Sequence, residues 1–244
     1  MSGKWQRIEI AGKAADLLEP AAGPPRFGVL FLHGHDQLTL PASSAISEAL
    51  LRQGLACVCP HGQRCWWTDR VCPEFDPAIS TERFVLESVV PFAHDRWALG
   101  PLGLGLLGYC MGGQGALRLA FKQPNAFPVV AAIAPAIEYH ELYWSGTPID
   151  EMYASKEQCR QDTVPMHIHP SQFPPHIFFA ADPTDPWRRG SDRLREKMAA
   201  LGVPHECDLV TRAGGHSWAY LEHMAPRALT FLAAGLERES RRLI

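Results

Sequence analysis

Short, wholly apolar runs alternate along the chain with stretches of helical period. Phe27-Gly-Val-Leu-Phe-Leu32 is halted by His33-Gly34, and Leu55-Ala-Cys-Val-Cys59 by Pro60. Leu102–Leu107, Val129–Ala136 and Ile177–Ala180 have the same character, and His205–Val210 reads as a final, more polar strand. Continuous apolar runs, rather than strict alternation, predict strands covered on both faces. Between them, residues 42–53 (closed by Gly54), 81–97, 112–122, 189–201 and the segment after His216 read as helices. In the second of these, Phe84, Val85, Ser88, Val89 and Phe92 share one face, and Pro91 predicts a bend. Strand–helix alternation of this kind predicts an α/β fold with a mostly parallel, doubly wound sheet. Residues 60–80 read as a loop carrying Trp66 and Trp67, and 138–175 as an irregular, cap-like excursion. No repeat or linker interrupts the pattern, so residues 1–244 are expected to form one domain.

Composition narrows the function. The chain is 46% hydrophobic and 20% charged, with a formal net charge of -3 and no basic run, which excludes the usual nucleic-acid binders. Nothing approaches the roughly 18 apolar residues of a membrane span. The start MSGKWQRIEI lacks the apolar core of a secretion signal, so a cytoplasmic protein without a membrane partner is expected. The seven cysteines (57, 59, 65, 72, 110, 159 and 207) then read mainly as reduced, small apolar residues. No CxxC pair is present for a structural zinc. A homodimer is left open.

The candidate chemistry centres on Gly108-Tyr109-Cys110-Met111-Gly112-Gly113. A strand running into Gly-x-Cys-x-Gly-Gly and then a helix is a nucleophile elbow. Small flanking residues let strand and helix approach, and the nucleophile is lifted clear at a helix N-terminus. There the free N–H groups and the dipole favour a thiolate and a developing oxyanion. Gly103-Leu-Gly105-Leu-Leu-Gly108 is a literal match to the dinucleotide fingerprint. It lies inside the predicted strand, however, and no acidic residue follows about 20 positions later.

A thiol of ordinary pKa, about 8.5, needs a base or a cationic neighbour. Elbow hydrolases place the acid and then the histidine after the nucleophile. His216, in Gly214-Gly215-His216-Ser217-Trp218, is the histidine in the loop after the last strand. For the acid, Asp182-Pro-Thr-Asp185 offers two candidates. Asp185 is favoured, because hydrolases of this class often show Gly-x-x-Asp here and Asp182 holds the glycine's place. It would fix the His216 tautomer. Oxyanion N–H groups are expected from Met111 and, in the loop after Leu32, from His35. His33-x-His35 and His167-x-His169 lack carboxylate and cysteine partners at ligand spacing, so neither a metal nor another cofactor is expected.

Gly108-Tyr-Cys-Met-Gly-Gly113 resembles the nucleophile segment of the dienelactone hydrolases. So do Gln53-Gly-Leu-Ala-Cys-Val-Cys-Pro60 and Ala213-Gly-Gly-His-Ser-Trp-Ala219. The resemblance implies a Cys–His–Asp triad on the α/β-hydrolase fold, with the irregular excursion after the sixth strand. Those enzymes carry a glutamate in the oxyanion loop, where this chain has His33-Gly34-His35-Asp36. By contrast, Gly215-His216-Ser217-Trp218, the tryptophan loop at 61–69 and Thr81-Glu82-Arg83-Phe84 are similar to the putative-esterase family. That family includes S-formylglutathione hydrolase and the mycolyltransferases and normally has serine at the elbow. The implied activity is cleavage of a small-molecule ester, thioester or lactone through an acyl-cysteine. Acyl transfer by the same residues, or ligand binding on a retired hydrolase scaffold, would be the alternatives. Trp66 and Trp67 are expected to line the acyl pocket.

Overall fold

The computed structural model describes residues 3–21 and 23–242. Eight strands form one sheet: β1 (Trp5–Ile10), β2 (Lys13–Leu18), β3 (Phe27–Leu32), β4 (Leu55–Pro60), β5 (Leu104–Tyr109), β6 (Val129–Ile133), β7 (His176–Ala180) and β8 (Glu206–Asp208). Their spatial order is β1-β2-β4-β3-β5-β6-β7-β8. β1, β2 and β4 pair antiparallel, and every pairing from β4 through β3 to β8 is parallel. Among the described residues the α-helices are α1 (Ser44–Arg52), α2 (Thr81–Phe84), α3 (Val90–Trp97), α4 (Met111–Lys122), α5 (Ile149–Met152), α6 (Lys156–Gln161), α7 (Arg188–Ala200) and α8 (Trp218–Arg242). This is the mostly parallel, doubly wound α/β sheet that the apolar runs predict.

Successive strand residues point to opposite faces, and both faces are buried. Leu30, Leu32, Leu104, Leu106, Val130, Ala132, Ile177 and Phe179 pack with α4, α7 and the 66–97 region. Val29, Phe31, Leu107, Ile133 and Phe178 pack under α1 and α8. That two-sided burial is why the central strands read as uninterrupted apolar runs.

Several boundaries differ from those expected. The hairpin β1–β2 escapes the sequence reading; it turns through Ala11 (φ 46°) and Gly12 (φ 78°), two residues in the left-handed region that favours tight hairpins. β5 starts and ends two residues later than Leu102–Leu107. β6 stops at Ile133 instead of Ala136, because Ala134 takes φ 49° and Pro135 has no N–H for the ladder. β8 is shorter than His205–Val210. Ahead of Pro91, where a bend is expected, the structure has a π-helical turn, Val85–Val89, which widens the helix just before the residue that cannot donate. The excursion holds 3-10 turns at Tyr139–Leu142 and Val164–His167 with α5 and α6 between them. Among the described residues, no helix is long and apolar enough to cross a membrane.

Register positions the chemistry. Leu32 pairs with Gly108, Tyr109 with Ile133, Ile133 with Ala180, and Ala180 with Asp208. The carboxyl ends of β3, β5, β7 and β8 therefore align at one edge. Parallel sheets bind ligands there, and the loops carrying 33–36, 110, 182–185 and 209–216 all leave from it.

Candidate active site

Cys110 sits between β5 and α4 with φ 53° and ψ −117°, a strained conformation for a residue with a side chain. Its backbone is fixed from three sides. The N–H donates to Ile133 O at 3.1 Å, and the carbonyl accepts from Gly113 at 3.0 Å and Ala136 at 3.1 Å. Glycine is required where α4 crosses the end of β3. A Cβ on Gly112 would fall onto the Leu32 carbonyl and lie 2.6 Å from that of His33. Gly105 and Gly108 lie within β5, so the dinucleotide-like pattern does not form a strand-to-helix phosphate turn.

The structure brings His216 and Asp185 to this elbow. His216 Nδ1 donates to Asp185 Oδ2 at 2.9 Å. The carboxylate is itself buried, and Oδ1 accepts the Trp187 N–H at 2.7 Å. The His216 ring stacks on Tyr109 (centroids 5.7 Å apart, 29° between planes), and Trp218 meets Tyr109 edge-on at 6.0 Å. Burial alone would lower the His216 pKa; attraction to the Asp185 carboxylate and the Cys110 sulfur outweighs it and holds the ring at about 10. A pKa raised from 6.5 to about 10 stabilises the fold through the protonated ring. That contribution is complete below pH 6.5, declines as pH rises, and is gone above about 10. Asp185→Asn should accordingly lower Tm most near pH 6 and least near pH 10, as read by thermal denaturation across that range.

Asp182 does different work. Oδ1 accepts the Thr184 N–H (2.8 Å) and hydroxyl (2.7 Å), while Oδ2 accepts the N–H groups of Ala213 (2.8 Å) and Gly215 (3.0 Å). These donors, Thr184 first, hold its pKa well below the usual carboxylate range. Asp182 thus latches the histidine loop to the loop after β7.

The loop after β3 is held by a neutral histidine. His33 is fully buried, and burial pushes its pKa down to about 4. Its Nδ1 lies 2.8 Å from the Gly34 carbonyl, which can only accept, so Nδ1 carries the proton and Nε2 accepts the Gly62 N–H at 3.0 Å. Both ring nitrogens are occupied, which removes His33 as a metal ligand. Among the described residues, no group of three His, Cys, Asp or Glu side chains is disposed to hold a metal. The next residue, Gly34, lies against Cys110: a Cβ there would be 3.2 Å from Cys110 Cβ. Among the described residues, no backbone acceptor takes the N–H of Met111 or of His35.

Trp66 and Trp67 do not line an open pocket as expected. They are only 1% and 2% exposed. Trp67 packs against Gly62 and Gly115 and donates from Nε1 to the His33 carbonyl at 3.1 Å, so it braces the loop after β3 from beneath. Trp66 lies behind the elbow, its N–H on Met111 Sδ at 3.3 Å and its ring stacked on Tyr139. Long apolar side chains in a loop are cheapest when buried, and here the core extends up to the site.

Sequence reasoning overlooked a second set of braces. Arg118 on α4 is only 2% exposed. It pairs with Glu82 of α2 and with Asp162 of the excursion, donating from Nε to Asp162 Oδ1 at 2.9 Å. Burial alone would lower the guanidinium's pKa, but the Asp162 and Glu82 carboxylates raise it instead. Asp162 Oδ2 accepts the Tyr153 hydroxyl at 2.7 Å, and Tyr153 reaches the Tyr139 hydroxyl at 3.0 Å. The signal was an arginine amid the apolar residues of Gly113–Phe121, where a charge is buried only if paired.

A strained elbow closing the central strand of a mostly parallel, eight-stranded sheet defines the α/β-hydrolase fold. Within it, the Putative esterase family model matches residues 29–232, so the chain belongs to that family and is a carboxylic ester hydrolase. No curated protein sequence matches it. Among solved structures, it is similar to an S-formylglutathione hydrolase from Agrobacterium tumefaciens (TM-score 0.78, 18% identity, covering 96% of this chain and 94% of that one). It is also similar to fluorophosphonate-binding serine hydrolase F of Staphylococcus aureus (TM-score 0.78, 15% identity, 96% and 99% covered). The Staphylococcus aureus S-formylglutathione hydrolase shares the fold as well (TM-score 0.75, 15% identity, 95% and 98% covered).

Proposed function

We propose that Cys110 is the nucleophile of this esterase, with His216 as proton carrier and Asp185 as its orienting acid. The observation that carries the reading is the 2.9 Å His216–Asp185 hydrogen bond beside a cysteine held at φ 53°. The Cys110 thiolate attacks the ester or thioester carbonyl, and its carbonyl oxygen becomes an anion facing the N–H groups of Met111 and His35. Protonated His216 gives its proton to the departing alkoxide or thiolate, leaving an acyl-cysteine. Neutral His216 then takes a proton from water, whose hydroxide attacks the acyl-cysteine. Collapse releases the acid and restores the thiolate and the protonated ring. The S-formylglutathione hydrolases named above make small thioesters a natural first substrate class to assay.

Comparison of Asp185→Asn with Asp182→Asn tests the division of labour. With p-nitrophenyl acetate and a thioester, Asp185→Asn should lower kcat by roughly 100- to 10,000-fold, because the tautomer and charge of His216 lose their support. Asp182→Asn loosens the loop without touching the ring and should cost about tenfold. Equal losses in the two variants, or near-full activity in Asp185→Asn, would contradict the assignment.

A further inference from the structure

A thiolate nucleophile brings a difficulty of its own. When it adds to an alkyl ester, the tetrahedral adduct holds two leaving groups, and a thiolate departs more readily than an alkoxide. The adduct reverts to ester unless the alkoxide oxygen is protonated as its bond to carbon breaks. His216 must therefore stay protonated until that moment. The Cys110 charge that favours the imidazolium is spent in the attack itself, when the sulfur becomes part of a neutral thioether. Only contacts that the reaction leaves intact can hold the ring charged through the step.

Two such contacts are in place. Asp185 Oδ2 takes the Nδ1 edge at 2.9 Å. Tyr109 covers a face, its centroid 5.7 Å from that of His216 and its plane 29° away. A cation within about 6 Å of an aromatic centroid and over its face is attracted by the ring quadrupole. Tyr109 is only 4% exposed, so dissolved ions screen that attraction little. Its ring is fixed from three directions. The backbone belongs to β5 and pairs with Ile133, Trp218 meets the ring edge-on at 86°, and Gly34 leaves it room. A Cβ on Gly34 would lie 3.0 Å from Tyr109 Cδ1. Burial, then the neighbouring charges of Cys110, Asp36 and Asp185, pushes the phenol's pKa up, so Tyr109 stays neutral while His216 titrates. Among the described residues, the charged groups facing the imidazole are Asp185 and Cys110; Asp182 binds backbone N–H groups of the histidine loop instead.

We propose that Tyr109 is a positioning residue whose π face holds His216 in its protonated form through acylation, fitting the site to alkyl esters whose leaving group must be protonated. The proposal rests on the reading of Cys110 as nucleophile and His216 as proton carrier. The sulfur–carbon bond forms first, and its electron pair displaces the carbonyl pair onto oxygen. That pair then returns, the carbon–alkoxide bond breaks, and the His216 Nε2 proton passes to the departing oxygen. Acyl-cysteine, alcohol and a neutral imidazole remain. Once the ring is neutral the quadrupole attraction lapses, so Tyr109 does not oppose His216 when it next takes a proton from water.

The test titrates His216 through its imidazole chemical shifts in histidine-labelled protein, with the signal assigned by its loss in His216→Gln. Tyr109→Leu should lower the His216 pKa by about 0.5–1.5 pH units. Tyr109→Phe keeps the face and should leave that pKa in place. In Tyr109→Leu the kcat/KM ratio of ethyl acetate to p-nitrophenyl acetate should fall on the alkaline side, because p-nitrophenolate departs without a proton. If Tyr109→Leu does not fold, Tyr109→Phe carrying successive ring fluorines keeps the shape while draining charge from the face, and should lower the pKa step by step. A pKa unmoved in Tyr109→Leu or along the fluorine series, or an equal fall in Tyr109→Phe, overturns the role of Tyr109. Full turnover by Cys110→Ala overturns the nucleophile instead, and the titration, read without substrate, still decides whether Tyr109 holds the imidazolium.

Discussion

Cys110→Ala is expected to lower kcat for p-nitrophenyl acetate by about 1000-fold or more, leaving a residue of activity from binding and the oxyanion donors. No other cysteine can substitute. Cys65 and Cys159 are buried, and burial pushes each thiol up to about 12, away from the thiolate that reacts. Cys207 is partly exposed, yet burial raises its pKa too, and it lies on β8 rather than at the elbow. Iodoacetamide should therefore label Cys110 first, as read by peptide mass mapping. Cys110→Ser tests the same geometry from the other side. A solved structure of similar fold is a fluorophosphonate-binding serine hydrolase, and the backbone that presents the thiol would present a hydroxyl equally well. The serine variant should turn over at a rate between those of the unaltered enzyme and Cys110→Ala, and should gain fluorophosphonate labelling. Full activity in Cys110→Ala would sink the proposed mechanism outright.

Gly112→Ala should be the most damaging single methyl group in the chain. The added carbon has nowhere to go: it meets the Leu32 carbonyl and, at 2.6 Å, that of His33, both backbone atoms at the end of a central strand. Relief requires α4 to move away from β3, which would carry Met111 and the elbow with it. Overpacking of this kind costs about 3 kcal/mol or more, equivalent to a Tm lower by roughly 6–12 °C in a chain of this size. Gly100→Ala is the control, since nothing lies within 4 Å of a Cβ there, and its effect should be within about 0.5 kcal/mol. Equal Tm values for the two variants would show that α4 and β3 are not packed as described.

The parallel sheet was legible because its strands are buried on both sides, so Phe27–Leu32 and Leu55–Pro60 announce themselves as unbroken apolar runs. β1 was not, because as an edge strand it mixes Trp5, Ile8 and Ile10 with exposed polar residues and gives no such run. For the candidate site, chain order singled out Cys110, the 182–185 pair and His216, which the fold brings to one edge of the sheet. What order could not separate was the pair itself. Asp182 and Asp185 differ only in which donors the fold delivers to them, two loop N–H groups or one imidazole. The tryptophans failed for the opposite reason. Residue type suggested a pocket wall, whereas Trp66 and Trp67 owe their positions to left-handed turns that no propensity of tryptophan foretells.

The contacts around α4 close on themselves. From Arg118 the path runs to Asp162, Tyr153, Tyr139 and Trp66, and returns to Met111 at the start of the same helix. A closed circuit resists shear in a way that an open chain of contacts does not, since displacing any member strains both of its neighbours. Its ionic link is buried, so dissolved salt screens it little. The support behind the elbow is accordingly cast when the chain folds.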